Sequence, residues 1–488
     1  MKALAMRVGN EIFDLNRELT EDAQLIGIDT QEGFYVYRHT LFLILVTAFK
    51  RLYPDMVLRL HRSINKSTFC EVRTDTLFGD SAILRLREEM KAIVKQNLMI
   101  HRREENHYYI DEDKCIFLKG VLAVRTGVIE KFELEYREGG FILTYPNYTT
   151  NGQINPYRTS EHLMKAIDQS RVWGDILGIH DIADLNEVVK SEYLGDMINI
   201  QEALHEKRFS KIADEIKMRQ PNLKVVLVTG PSSSGKTTFS KKLHIHLRVN
   251  ELHPINISLD DYFLNRDQAP RNPDGSYNFE DLEALDYELF NRHLELLIKG
   301  GEAEIPVFNF HTGKREEKGR KLRLDEGSVL IVEGIHALNE RLSYLVDSRS
   351  KYKIYCSPLI DLNYDNYNPV ATSDIRLVRR MVRDFKFRSS SAENTFQMWP
   401  SVQRGEVKNI FGYDEKADCI FNTALIYEFS LFKPYIMPLL QQVGPESPYY
   451  FPAKRLMNTL DWFASISDKL VPTTSIIREF IGGGSFSY

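Results

Sequence analysis

The spacing of apolar and polar residues changes character near residue 220. Before that point, apolar residues from Thr40 to about Tyr53 fill a helical period, and the stretch MVLRLHRSINKSTFCEV that follows alternates in the manner of strands. The segment FELEYREGGFILTYP repeats the alternation on either side of Gly139 and Gly140, which predicts a β-hairpin. NIQEALHEKRFSKIADEIK returns to helical spacing, and Arg219-Gln220-Pro221-Asn222 then breaks it. The first 200 residues therefore read as α+β.

Beyond the break, KVVLVTG, INISL, SVLIVEG and KYKIYCS are apolar almost throughout, and helical segments begin at Lys236, after Asp286 and after Asp374. Strands without polar alternation are covered on both faces, so this half is expected to be α/β, a parallel sheet with helices on both faces. A chain of 488 residues exceeds what one hydrophobic core supports. Five segments are expected: 1–32, an α+β domain over 33–200, a helix and linker over 201–222, an α/β domain over 223–445, and a tail over 446–488. The tail, from SPYYFPAK to REFIGGG, reads as two short amphipathic helices of unassigned function.

Composition narrows the classes. A formal charge of −5 provides no global basic field for nucleic-acid phosphates. The four cysteines lack metal-ligand spacing and read as free thiols of a cytoplasmic protein. The longest apolar run, Thr40 to Phe49, is far short of the roughly 20 residues that span a bilayer.

Chemistry concentrates in Gly230-Pro231-Ser232-Ser233-Ser234-Gly235-Lys236-Thr237, which satisfies GxxxxGK[ST] between an apolar strand and an amphipathic helix. Glycines let the backbone curl around an anion, the N–H groups at the helix start face phosphate oxygens, and Lys236 reaches the β- and γ-phosphates. Thr237 is expected to offer its hydroxyl to Mg²⁺, making ATP and Mg²⁺ the expected cofactors. The next strand ends in Ser258-Leu259-Asp260-Asp261-Tyr262-Phe263, where one carboxylate could take a proton from a substrate hydroxyl or could simply cap the following turn. Glu333 closes another strand at the carboxyl edge of the sheet, as a Mg²⁺ ligand or as a solvated strand end.

In DIRLVRRMVRDF, Arg376, Arg379, Arg380 and Arg383 share one helical face, with Leu377, Val378, Met381, Val382 and Phe385 opposite. Such a stripe is either a lid that closes on the transferring phosphoryl group or a solvated basic face.

Taken in order, GPSSSGKTT, SLDDYF, YNFEDLEALD, IPVFNFHTGKR, IVEGIHALN and RLVRRMVRD resemble the uridine kinase and phosphoribulokinase family, over about Lys224 to Val443. The resemblance implies ATP binding by Gly230 through Thr238 with Arg383 and Arg388. It implies Asp260 as general base, with Lys236 and Arg379 at the reacting phosphate. Asp261, Phe263, Glu280, Phe308, Arg315 and Arg376 would serve the acceptor, a small molecule such as a nucleoside. Where typical uridine kinases carry two tyrosines, an aspartate and a histidine, this chain has Phe263, Phe308, Glu280 and Gly313. The hydroxyl bonds that give large specificity are lost, and a phosphosugar or another small acceptor stays open.

The N-terminal half, through FYVYRHTLFLILVTAFKRLYPDMVLRLHRSINKSTFCEV, resembles the N-terminal region of threonyl-tRNA synthetases: a partial TGS-like piece over 1–32, then an editing-domain-like region. His39 stands without an HxxxH partner, so tRNA editing is not expected. A rival reading keeps the synthetase-like half as an RNA-binding module with the ATP site as its switch. No membrane partner is expected, and a homo-oligomer is left open.

Overall fold

In the computed structural model, residues 2–16, 22–64, 67–148, 152–154, 160–271, 275, 277–309, 312–410 and 412–487 are described. Phe310 and His311 of IPVFNFHTGKR and the loop residues Asn65 and Lys66 lie outside them.

The N-terminal half is built around helix α1 (Gln31–Leu52), which Thr30 caps by accepting from the Gly33 N–H. It starts nine residues before the predicted Thr40, because that cap, rather than the apolar run, sets its origin. Strands β1 (Val57–Ile64) and β2 (Ser67–Arg73) pair antiparallel, and β2 pairs with the hairpin of β3 (Glu133–Arg137) and β4 (Gly140–Thr144), in order β1-β2-β4-β3. Helix α2 (Asp80–Gln96) adds Leu86, Met90 and Ile93 to the same core as Leu41, Leu45 and Phe141.

Helices α3 (Glu161–Leu177), α4 (Ile182–Lys190) and α5 (Leu194–Met218) lead to the second half. Residues 201–218, expected as a helix leading into a linker, form the second half of α5, and Phe209, Ile212 and Ile216 pack with Val226 and Val228. The amphipathic period of that helix matches the face of a sheet, so it buries its stripe there.

The sheet consists of β5 (Val225–Thr229), β6 (His253–Ser258), β7 (Ser328–Glu333), β8 (Lys351–Ser357) and β9 (Cys419–Asn422), all parallel in order β6-β7-β5-β8-β9. Val226 and Val228 face α5 and α6 (Lys236–Val249), while Val225 and Leu227 face α3 and α7 (Tyr287–Ile298), the period-two alternation of a doubly covered strand. Strand β9 went unread because its four residues are too few to show a period. Helices α8 (Thr372–Arg388), α9 (Ala392–Asn409), α10 (Glu428–Gln441) and α11 (Tyr450–Leu460) share a further core with the end of the chain, where α12 (Arg478–Ile481) lies. No helix among the described residues is long and apolar enough to cross a membrane.

Candidate active site

The loop from β5 to α6 turns where only glycine fits. A Cβ on Gly230 would lie 2.0 Å from the Cys356 carbonyl oxygen at the end of β8, and Gly235 has φ +85°. The Ser233 and Ser234 hydroxyls are buried there with no hydrogen-bond partner among the described residues. Buried polar groups normally have partners, so these orphans, set beside the first-turn N–H groups of α6, fit a bound phosphate chain. Lys236 Nζ donates to the carbonyls of Gly230 (2.9 Å) and Pro231 (3.1 Å). Thr237 is half-buried at the same helix start.

Two carboxylates feel the charge of Lys236 in this loop. The cap of the turn after β6 is Ser258, whose Oγ accepts from the Asp260 N–H at 3.3 Å, so the capping alternative for Asp260 falls away. The same hydroxyl donates to Glu333 Oε1 at 2.9 Å, and Glu333 stands in register with Ser258 on one side and Val228 on the other. Burial pushes the Asp260 carboxyl up, opposed by the charges of Lys236, Arg388 and Arg383. Burial and then the neighbouring Asp260 charge push Glu333 up to about 7, with Lys236 and Ser258 pulling the other way. Glu333 is thus no solvated strand end. Asp261 turns elsewhere and accepts from the Phe308 N–H at 3.5 Å.

The basic stripe of α8 is neither solvated nor free. Arg376 forms two hydrogen bonds with Glu406 of α9 (2.6 and 2.8 Å), and Glu406 also accepts from the Ser232 N–H at 3.0 Å. Arg379 is wholly buried; it donates to Glu428 and to the carbonyls of Ser233 (3.3 Å) and Thr423 (2.8 Å). Arg380 donates to Ser232 Oγ at 2.8 Å. Arg383 and Arg388 pair with Asp384 and are the stripe residues whose charge reaches Asp260. Phe385, expected on the apolar face, is 49% exposed. The helix braces the loop from behind, with the counter-charges supplied by Glu406, Glu428 and Asp384 of the same chain.

On the far side of Asp260, the rings of Phe263 and Phe308 lie 5.7 Å apart and tilted, with Phe279 edge-on to Phe263 at 6.4 Å. Arg315, expected to line the acceptor pocket, spends its guanidinium on the carbonyls of Phe263 (2.9 Å) and Tyr262 (2.8 Å) and on Asp286 (3.1 Å). Arg376, likewise expected at the acceptor, is committed to Glu406. Glu280 is held up to about 7, first by burial and then by the Glu406 charge. Gly313 leaves a space that the Arg266 guanidinium fills, its Nε lying 2.8 Å from where a Cβ would be.

Sequence reasoning missed Glu406, Glu428 and Glu479. Each lies far along the chain from its partner, in no motif: Glu406 from Ser232, Glu428 from Arg379 and Glu479 from Thr238. The only available signal was the stripe itself, which required buried acids to face it.

The sequence matches the profile of the phosphoribulokinase / uridine kinase family over residues 225–425. It is 29% identical over 181 residues to a uridine kinase of Bacillus pumilus, covering 37% of this chain and 76% of that one. It is 30% identical over 245 residues to a uridine kinase of Borrelia turicatae, covering 47% of this chain and all of the other. Among solved structures, D-glycerate 3-kinase of Cryptococcus neoformans aligns with 43% of this chain and 89% of its own, at 13% identity and a TM-score of 0.32. With a relative matched over its full length at 30% identity, the chain belongs to the phosphoribulokinase / uridine kinase family.

Proposed function

We propose that this protein transfers the γ-phosphoryl group of ATP to a hydroxyl of a small metabolite, a nucleoside first among the candidates. The observation that carries the reading is the meeting of three elements at one edge of the sheet. They are the Gly230–Thr237 loop with its orphaned hydroxyls, Asp260 without a capping duty, and Glu333 hydrogen-bonded beside it. The loop would bind the phosphates through its N–H groups, with Lys236 turning from the Gly230 and Pro231 carbonyls toward the β- and γ-phosphates. Asp260, whose carboxyl burial pushes up, would orient the acceptor hydroxyl and take its proton. Thr237 and Glu333 would hold Mg²⁺, which supplies neutralisation of phosphate charge. Arg383 and Arg388, whose charges reach Asp260, would face the phosphates, and Arg379 would hold the loop through the Ser233 carbonyl.

The acceptor would stack on Phe263 and Phe308, with Glu280 beside it. A phosphosugar is a second reading, favoured by Arg266, whose guanidinium lies against Gly313. The first 200 residues lie outside the family match, and we assign them no catalytic part. The test is a screen of nucleosides and phosphosugars with ATP, read by mass detection of the phosphorylated product. A nucleoside product that vanishes in Asp260→Ala, with ATP binding retained, supports the reading. ATP hydrolysis stimulated by tRNA alone, with no phosphorylated small product, would overturn it in favour of an RNA-linked switch.

A further inference from the structure

The last residues of the chain, outside the family match, reach into the phosphate loop. Glu479 of α12 accepts at one oxygen, Oε2, from both the Thr238 N–H (3.1 Å) and the Thr238 hydroxyl (2.7 Å). Thr238 lies in the first turn of α6, where N–H groups lack intrahelical acceptors and phosphate oxygens bind. The charge of Glu479 also acts on Glu333. Two anions cannot accept from this one pair of donors at once.

The anchoring of the segment does not depend on Glu479. Ile476, Ile477, Phe480 and Ile481 are buried, and Ile476 packs so closely that a Cβ on Gly235 would come within 2.9 Å of its Cγ2. Arg478 donates to the carbonyls of Asp468 (2.8 Å) and Val471 (2.6 Å), and Lys386 Nζ donates to that of Ile481 (2.7 Å). The guanidinium of Arg379 lies 5.0 Å from the Phe480 ring centre. The half-buried Glu479 side chain is therefore the part free to move while the segment stays docked.

We infer that the C-terminal segment is an autoinhibitory strap, in which the Glu479 carboxylate occupies the anion seat at Thr238 and has to leave before a nucleotide phosphate can enter. This rests on the reading of the Gly230–Thr237 loop as the nucleotide site. A carboxylate at a helix N-terminus, accepting two hydrogen bonds, is stabilised there, so the competent state is a minority and apparent nucleotide affinity falls by its fraction.

The experiment titrates fluorescent N-methylanthraniloyl-ADP into the full chain as wild type, Glu479→Ala and Lys236→Ala. The strap predicts binding about tenfold tighter in Glu479→Ala. Unchanged or weaker binding in Glu479→Ala, with Lys236→Ala still impaired, overturns the strap and leaves the nucleotide site standing. Unimpaired binding in Lys236→Ala overturns the site and the strap together.

Discussion

Arg379 and Glu428 form a two-pronged ion pair with both side chains at zero solvent exposure, the Nε to Oε2 distance being 2.7 Å. The same guanidinium reaches the Ser233 carbonyl, so the pair connects the helix that carries the basic stripe to the phosphate loop. Breaking one partner of a buried pair strands the other charge, at a cost of about 3–5 kcal/mol. Glu428→Gln is expected to lower the denaturation midpoint accordingly, and the double change Arg379→Met with Glu428→Leu should recover part of the loss. A Glu428→Gln protein as stable as wild type in urea titration would remove the pair from the account of the loop.

Lys236→Ala is expected to abolish turnover with every acceptor. Asp260→Asn is expected to lower kcat by about 10²–10⁴ while nucleotide affinity stays near wild type, since a base acts on the proton and the loop holds the phosphates. Steady-state kinetics beside direct binding separates the two; an Asp260→Asn enzyme with wild-type kcat would exclude this carboxylate as the base.

Glu333 provides a pH test with a definite sign. Its folded carboxyl is held up to about 7, above the ordinary value of 4.5, by burial and then by Asp260. The unfolded chain ionises first as pH rises, so this group lowers stability progressively from about pH 4.5 to 7. Glu333→Gln should therefore stabilise the ligand-free protein more at pH 8 than at pH 5. Melting temperatures at the two values check it, and an advantage larger at pH 5 would contradict the assignment.

His61 runs the opposite way. It is buried between Asp361, 3.1 Å from Nδ1, and Glu71, 2.9 Å from Nε2, and so bridges the two halves of the chain. Burial disfavours its charge, but the two carboxylate hydrogen bonds outweigh burial and leave its pKa raised above 6.5. Its contribution to stability is full below 6.5 and fades as pH climbs through the raised folded value. His61→Asn should cost most below pH 6.5 and least in alkaline solution, read by denaturant midpoints across that range.

Much of this protein was determined by its sequence alone. The apolar strands from Val225, Ser328 and Lys351 must be covered on both faces, and GxxxxGK[ST] between strand and helix sets a phosphate loop, because both follow from local composition and spacing. Asp260, Asp261 and Glu333 could be located at strand ends from the residues, and only the family resemblance gave the two aspartates separate roles. Only tertiary structure decided that Ser258 is the cap and that Asp261 turns to Phe308. It also decided what neutralises the arginines of α8, since Glu406 and Glu428 meet Arg376 and Arg379 across 30 and 49 residues. The same holds for Glu479, which meets Thr238 across 241 residues. Periodicity reports which face of a helix is buried; it carries no information about which distant charge will be buried against it.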